Sequence, residues 1–340
     1  MTHPVLDVRK LSTAVTTRRG DVTIVDELSL KVARGETVAI IGESGCGKSL
    51  AALSLMRLLP KGQARIKAGE VRLDNRNLAA LPERDVARLR GRDIAMIFQD
   101  PMSALNPVMT IGRQLEEAIR IHVDLKGAAL HARCVELLRL VHIPDPEARL
   151  KEYPHRLSGG MCQRVAIAMA IACDPRLLIA DEPTTALDVT IQAQVLNLLR
   201  ELKQRTGMAL LIITHDFGVV AEMADRVVVM YAGRKVEEGT VADIFDDPRH
   251  PYTRGLLALT LHPGAARVDR LPEIRGVVPS YEGRGPGCPF ADRCDRVMDV
   301  CRRQAPATID VAPNDLNGGH EVACWAVELE SERYVVAVDH

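Results

Sequence analysis

The sequence predicts an α/β fold built on a mixed, mostly parallel sheet, and three features of the 340-residue chain support this. Apolar runs of strand length alternate with amphipathic stretches of helix length. Two of the runs, Thr37–Ile41 and Leu177–Ala180, are continuously apolar, as is typical of central strands covered on both faces. A glycine-rich loop follows the first of them directly. The hydrophobic content of 47% can fill a core larger than that of one small domain.

The strands and helices follow one another in an order that leaves room for an inserted helical part. The predicted strands are Glu36–Ile41, Ile94–Phe98, Leu177–Ala180, Leu210–Thr214 and Arg226–Tyr231. The predicted helices are Leu50–Leu59, Ile111–His122, Ala128–Val141 and a helix from Ser158 to about Cys173. We therefore expect an α-helical subdomain over about residues 100–172, interrupting the sheet.

Composition divides the chain near residue 245. Pro, Gly, Arg and Cys become frequent after that point, so we expect a main domain over residues 1–245 and a small Cys-rich C-terminal extension over 246–340.

Lys and Arg total 44 against 45 Asp and Glu, which gives a net charge of -1 and argues against nucleic acid as a partner. No apolar window approaches the length of a membrane span, and residues 1–13 lack the apolar core of a secretory signal. The sequence thus indicates a cytoplasmic chain.

The glycine-rich loop has the spacing and the flanks of a phosphate-binding P-loop. Its residues are Gly42, Glu43, Ser44, Gly45, Cys46, Gly47, Lys48 and Ser49, and Leu50 continues into the next helix. Glycines let the backbone N–H groups point at phosphate, Lys48 neutralises the β- and γ-phosphate oxygens, and Ser49 is a candidate Mg²⁺ ligand. A plain glycine-rich turn is the alternative.

Two further strands end in residues suited to phosphoryl transfer. The apolar run Leu177–Ala180 ends at Asp181, a candidate for the Mg²⁺ shell, and Glu182, a candidate base for the attacking water. The next run ends at His215, which could reach the γ-phosphate from the same sheet edge. Ser158 precedes Gly159 and Gly160 at the start of a helix, where an N-cap and exposed N–H groups make an anion site.

Taken together, these motifs resemble the ATPase subunit of an ABC transporter, over about residues 5–245. The residues that carry the resemblance are Gly42–Ser49, Gln99, Leu157–Gly160, Leu177–Glu182, Ala186–Asp188 and His215, in that order. The resemblance implies that Ser158–Gly160 closes over ATP bound to a partner ATPase, and that Asp188 lies in the dimer-facing loop. It further implies that Gln99 senses Mg²⁺ and the membrane partner, and that Glu182, His215, Lys48 and Gln99 form the catalytic set.

Four cysteines cluster late in the chain. Cys288, Cys294, Cys301 and Cys324 could hold one Zn²⁺ or one four-iron, four-sulfur (4Fe–4S) cluster, or they could remain free thiols. The absence of paired C-x₂-C spacings favours the cluster over zinc.

The tail also resembles the oligopeptide/dipeptide importer branch of these ATPases. The segments that carry this resemblance are Gln99–Pro107, His250–Arg254 and Gly287–Cys294. It implies a 4Fe–4S cluster on the four cysteines, and two membrane permease subunits, a second, related but different ATPase chain and an extracytoplasmic solute-binding protein as partners. The expected function is ATP-driven peptide import from the cytoplasmic face of the inner membrane, with ATP and Mg²⁺ as cofactors. The alternative is a soluble ABC ATPase in iron–sulfur cluster assembly.

Overall fold

The computed structural model describes residues 3–185, 187–259, 273–312 and 319–330, so Ala186 of the Ala186–Asp188 motif lies outside the described residues. The strands are β1 (Leu6–Thr17), β2 (Gly20–Val32), β3 (Thr37–Ile41), β4 (Ala64–Leu73), β5 (Arg76–Asn77), β6 (Ile94–Ile97), β7 (Leu177–Asp181), β8 (Ala209–Thr214), β9 (Arg226–Tyr231), β10 (Arg234–Thr240), β11 (Ile309–Asp310) and β12 (Glu321–Val322). The helices are α1 (Lys48–Leu55), α2 (Glu83–Leu89), α3 (Pro101–Ala104), α4 (Ile111–Arg120), α5 (Gly127–Leu140), α6 (Pro146–Arg149), α7 (Gly159–Ala170), α8 (Val189–Thr206), α9 (Phe217–Met223), α10 (Val241–Asp246), α11 (Pro251–Ala258) and α12 (Asp299–Arg303).

The larger sheet has the order β11-β12-β10-β9-β3-β8-β7-β6. The five strands from β9 to β6 are parallel, and they are the five strands that the sequence predicts. Every residue of β3, β7 and β8 is buried, because layers on both faces cover these continuous apolar runs. The predicted α/β class is confirmed, and the carboxyl ends of the parallel strands share one edge.

A second sheet, with the order β2-β1-β4-β5, is antiparallel, and the sequence patterns did not reveal it. Irregularities in β1 between Val8 and Leu11 and between Leu11 and Thr13 break the alternation that marks a half-buried strand. Most residues in the first half of β4 are exposed or half-buried, so that strand also lacks an apolar signal.

The helical insertion is present between β6 and β7. Helices α4, α5 and α7 contribute Leu115, Leu137 and Val165, among others, to one core cluster, which packs onto the face of the sheet at Leu178 and Ile212. Helix α1 is shorter than predicted: it ends at Leu55, because Arg57 adopts a left-handed φ of 52°. The N–H of Leu58 then bonds to the carbonyl of Leu53, as in a Schellman motif.

The predicted C-terminal extension, called the C-terminal part below, is attached to the main sheet through β12. This strand pairs with β10 at Glu237 and Glu238. Glu237 is fully buried and accepts the backbone N–H groups of Arg249 (2.6 Å) and His250 (3.1 Å), and it lies 2.8 Å from Nε2 of His320. The boundary at residues 245 and 246 stays a prediction. Within the described ranges, no helix is long and apolar enough to cross a membrane.

Candidate functional site

The glycine-rich loop lies between the end of β3 and the first turn of α1, as the sequence predicts. A Cβ on Gly42 would lie 2.2 Å from the carbonyl oxygen of Met230 in β9, so only glycine allows the loop to leave the sheet here. Lys48 is buried and donates from Nζ to the carbonyl oxygens of Gly42 (2.7 Å) and Glu43 (3.1 Å). The ammonium group is thereby held inside the curve of the loop.

The remaining residues of the loop divide into exposed and buried ones. Ser44, Gly45 and Ser49 are exposed, whereas Leu50 is half-buried. Cys46 has no exposed surface, and burial raises the pKa of its thiol. Since the thiolate is the reactive form, Cys46 serves as a small packing residue of the loop.

Ser49 and Asp181 bring the loop and the end of β7 together. The hydroxyl of Ser49 donates to Oδ1 of Asp181 at 3.1 Å. Asp181 is 5% exposed, and burial raises its pKa, with the Ser49 hydrogen bond acting in the opposite direction. A divalent cation at this point would therefore favour the charged carboxylate.

Glu182 is held at the sheet edge by three side chains. Its carboxylate accepts hydrogen bonds from Nε2 of Gln99 (3.1 Å) and the hydroxyl of Thr185 (2.7 Å), and Nδ1 of His215 lies 3.1 Å from its other oxygen. Burial by itself raises the pKa of Glu182, but the hydrogen bonds from Thr185 and His215 outweigh it and the net shift is downward. Glu182 is accordingly ionised at neutral pH, as a general base must be.

Thr185 and Gln163 belong to this arrangement, although sequence reasoning did not single them out. Thr185 lies three residues after Glu182, a spacing at which a hydroxyl can bond back to a side chain. Gln163 is buried in α7 and donates from Nε2 to the carbonyl oxygen of Pro183 at 2.8 Å. It thus fixes α7 against the loop that follows Glu182.

The Ser158–Gly160 segment opens α7 as predicted. Ser158 is the N-cap, and its hydroxyl accepts the N–H of Met161 at 3.3 Å. Ser158 and Gly159 are exposed, so this helix N-terminus is accessible from outside the chain. Asp188 is the exposed residue before α8.

The four late cysteines lie in one region of the C-terminal part. The N–H of Cys288 donates to the carbonyl oxygen of Cys301 at 2.7 Å. Burial, together with the three other cysteines within electrostatic reach, raises the pKa of Cys288 to about 11. The N–H of Arg296 donates to Sγ of Cys294 at 3.4 Å. Among the described residues, however, no three His, Cys, Asp or Glu side chains are grouped closely enough to hold a metal ion. The described side-chain positions therefore support neither zinc nor a 4Fe–4S cluster.

Two family models match the sequence. The ABC transporter family matches residues 25–185, which include the glycine-rich loop, Gln99, the α7 N-terminus and the acidic pair. The oligopeptide/dipeptide transporter C-terminal region matches residues 236–301, which include three of the four cysteines.

Curated relatives match over nearly the whole chain. The dipeptide transport ATP-binding protein of Bacillus subtilis (strain 168) is 47% identical over 340 residues, covering 98% of each chain. The oligopeptide transport ATP-binding protein of the same organism is 46% identical over 325 residues, covering 96% of this chain and 97% of the relative. Among solved structures, a dimeric, post-hydrolysis ATP-binding cassette bound to ADP and Pi has a TM-score of 0.62 and 27% identity. It covers 69% of this chain and 98% of its own.

Proposed function

The chain belongs to the ABC transporter ATP-binding proteins of the oligopeptide/dipeptide type, and from this premise we propose that it hydrolyses ATP at the cytoplasmic face of the inner membrane to power peptide import. The observation that carries the proposal is the convergence of the glycine-rich loop with Asp181 and Glu182 at the carboxyl edge of the parallel sheet: Ser49 bonds Asp181, and Lys48 lies within electrostatic reach of both acids. The relatives named above act in peptide transport, so the alternative role in iron–sulfur cluster assembly is not supported.

The residues at the carboxyl edge of the parallel sheet can each take a separate role in ATP hydrolysis. Lys48 and the N–H groups of the loop bind the β- and γ-phosphates. Ser49, Asp181 and Gln99 would hold Mg²⁺, which neutralises charge on the transferred phosphoryl group. Glu182 takes a proton from the attacking water, and His215, at its other carboxylate oxygen, keeps the carboxylate oriented. From the same sheet edge, His215 would also reach the γ-phosphate.

A second ATPase chain would complete the site. The exposed N-terminus of α7 can donate backbone N–H groups to the γ-phosphate of ATP bound on a partner, and Asp188 would face that partner. Closure of such a dimer on ATP, and its opening after hydrolysis, is the motion that we propose drives transport. The partner is a related but different ATPase chain.

An apolar groove beside Gln99 offers a docking surface for a permease subunit. The cavity of about 240 Å³ is lined by Leu58, Phe98, Ala104 and Met169, among others, and Phe98 is 40% exposed. Phe98 directly precedes Gln99, whose side chain contacts Glu182. A helix that binds in this groove would therefore contact the residue next to Gln99. We expect two permease subunits, and a solute-binding protein on their outer side.

The four late cysteines remain our candidates for a 4Fe–4S cluster. Four thiols suit such a cluster, because each iron takes one thiolate. Burial raises the pKa of Cys288, Cys294 and Cys324, but backbone N–H groups at their sulfurs act in the opposite direction, because such hydrogen bonds stabilise thiolates. When bound, the cluster would supply a covalent tie between distant segments of the tail.

Purification of the tagged chain from mildly solubilised membranes tests the proposed function. We expect two multi-span proteins and a second ATPase in stoichiometric amounts, and a peptide-stimulated ATPase activity when the solute-binding protein is added. Recovery of soluble partners alone would contradict the importer assignment.

A further inference from the structure

Side chains of the C-terminal part form hydrogen bonds with the glycine-rich loop. The side chain of Arg293 is 5% exposed, and its guanidinium donates to both carboxylate oxygens of Glu43, at 2.6 Å and 3.0 Å. The same side chain also donates to the carbonyl oxygens of Arg275 (2.9 Å) and Ile274 (3.2 Å). A bidentate pair of this kind fixes orientation as well as distance.

Two tyrosines of the C-terminal part hold the backbone of the same loop. The hydroxyl of Tyr252 accepts the N–H of Glu43 at 2.8 Å, and the hydroxyl of Tyr281 donates to the carbonyl oxygen of Gly45 at 2.6 Å. Tyr252 is fully buried. The N–H, the carbonyl oxygen and the carboxylate of Glu43 are therefore each bound, by Tyr252, Lys48 and Arg293 respectively.

From these contacts we infer that Arg293 is a positioning residue for ATP binding, through which the C-terminal part holds the phosphate-binding loop in its binding conformation. The inference rests on the proposed nucleotide site and adds to it a side chain that lies outside the glycine-rich loop.

The charge of Glu43 gives the direction of the effect. Glu43 follows Gly42, so its carboxylate belongs to a loop that must accept the negative charge of a triphosphate. Arg293 neutralises that carboxylate. Without Arg293, the free carboxylate would repel phosphate and compete with it for the ammonium group of Lys48, which already bonds to the Glu43 carbonyl oxygen.

Loss of Arg293 should weaken ATP binding and leave the rate of the chemical step nearly unchanged. Arg293 contacts the loop and not Glu182, so its loss weakens the ground state and the transition state equally. We expect R293M to raise the KM for ATP about tenfold, as for the loss of one charge-assisted pair, with kcat changed less than about twofold.

The test uses steady-state ATP hydrolysis by the complex purified with its partner ATPase, and equilibrium binding of a fluorescent ATP analogue to the full-length chain. R293K should show a smaller rise in KM than R293M, because lysine keeps the positive charge beside Glu43 but lacks the planar fork of arginine. R293M/E43Q should recover most of the binding lost in R293M, since the unpaired charge is gone. R302M is the matched control: Arg302 lies in the same part of the chain, pairs with exposed Asp292 at 2.9 Å, and should bind ATP like the wild type.

Three results would overturn the inference. One is unchanged ATP binding in R293M and R293K. Another is a loss in R293M that persists fully in R293M/E43Q, which would make Arg293 a purely structural residue. The third is an equal loss in R302M. If R293M fails to fold, the comparison of R293K with R302M decides. Failure of the proposed nucleotide site is recognised separately, because K48A would then bind the analogue as well as the wild type.

Discussion

Nδ1 of His215 lies 3.1 Å from Oε1 of Glu182, although 33 residues separate them in the sequence. Each residue follows a parallel strand, Glu182 after β7 and His215 after β8. The contact therefore exists only because those two strands pair in register, with Asp181 opposite Ile213. The sheet, and not the local sequence, places the histidine against the proposed base.

Replacement of Glu182 by glutamine should separate ATP binding from hydrolysis. An amide keeps the shape of the side chain but accepts no proton from water, so we expect the hydrolysis rate to fall by about 10²- to 10⁴-fold. ATP binding should be retained. Phosphate release and equilibrium nucleotide binding, measured on the same preparation, check both parts. Wild-type turnover would remove Glu182 as the base.

Replacement of Thr185 by valine should move the acid limb of the rate profile to higher pH. The Thr185 hydroxyl donates to Glu182 at 2.7 Å and lowers the pKa of its carboxyl, so its removal raises that pKa. Since the base must be ionised, activity should then be lost at a higher pH as the solution is acidified. Hydrolysis rates at saturating ATP from pH 4 to pH 8 test this shift. Thr185→Ser keeps the hydroxyl and should retain the wild-type profile.

Acidification should destabilise the fold through His250. Complete burial lowers the pKa of His250 from 6.5 to about 4, against the opposing effect of Glu237. The unfolded chain thus binds a proton at this residue between those pH values and the folded chain does not. The free energy of unfolding should fall by roughly 3 kcal/mol from this residue as pH drops from 6.5 to 4.

Urea unfolding at several pH values measures this contribution when the wild type is compared with His250→Asn. Asparagine can replace the N-cap that the His250 side chain gives to the N–H of Tyr252, but it does not titrate. A shallower pH dependence is expected for the variant, whatever its stability at neutral pH. Parallel curves for the two proteins would show that His250 is not responsible.

An acidic residue in the apolar groove should weaken binding to the permease subunits. Phe98→Asp places a charge among Leu58, Ala104 and Met169, and desolvation of that charge opposes docking of an apolar helix. We expect the chain to bind ATP normally but to leave the membrane fraction. Val277→Asp is the control, because Val277 is 84% exposed in the C-terminal part. Equal membrane recovery of both variants would exclude the groove as the docking surface.

The cysteine proposal predicts a coloured protein. Chain prepared without oxygen should absorb visible light and contain four irons, and Cys288→Ser should lose that absorbance together with iron. Cys134→Ser, at a buried cysteine of α5, should retain both. A colourless, iron-free wild-type protein prepared in this way would rule out the cluster.

Sequence reasoning predicted those parts of the candidate site whose signal is local. The loop from Gly42 to Ser49 and the two acids at the end of β7 each form one short motif between an apolar strand and a helix or turn. It could not find the antiparallel sheet, because the bulged β1 and the exposed β4 lack clear alternation. It also missed Arg293, because the partner of that residue lies 250 positions away and no spacing rule connects the two.

The pairing of Arg293 with Glu43 also sets an order of events during protein synthesis. Residues near position 43 leave the ribosome long before those near 293, and a chain elongates at about 5–20 residues per second. The five parallel strands end at Tyr231. They can therefore form the sheet before Arg293 is available to bind Glu43 of the glycine-rich loop. A nascent chain would thus carry a loosely held loop and bind ATP weakly until translation of the C-terminal part is nearly complete.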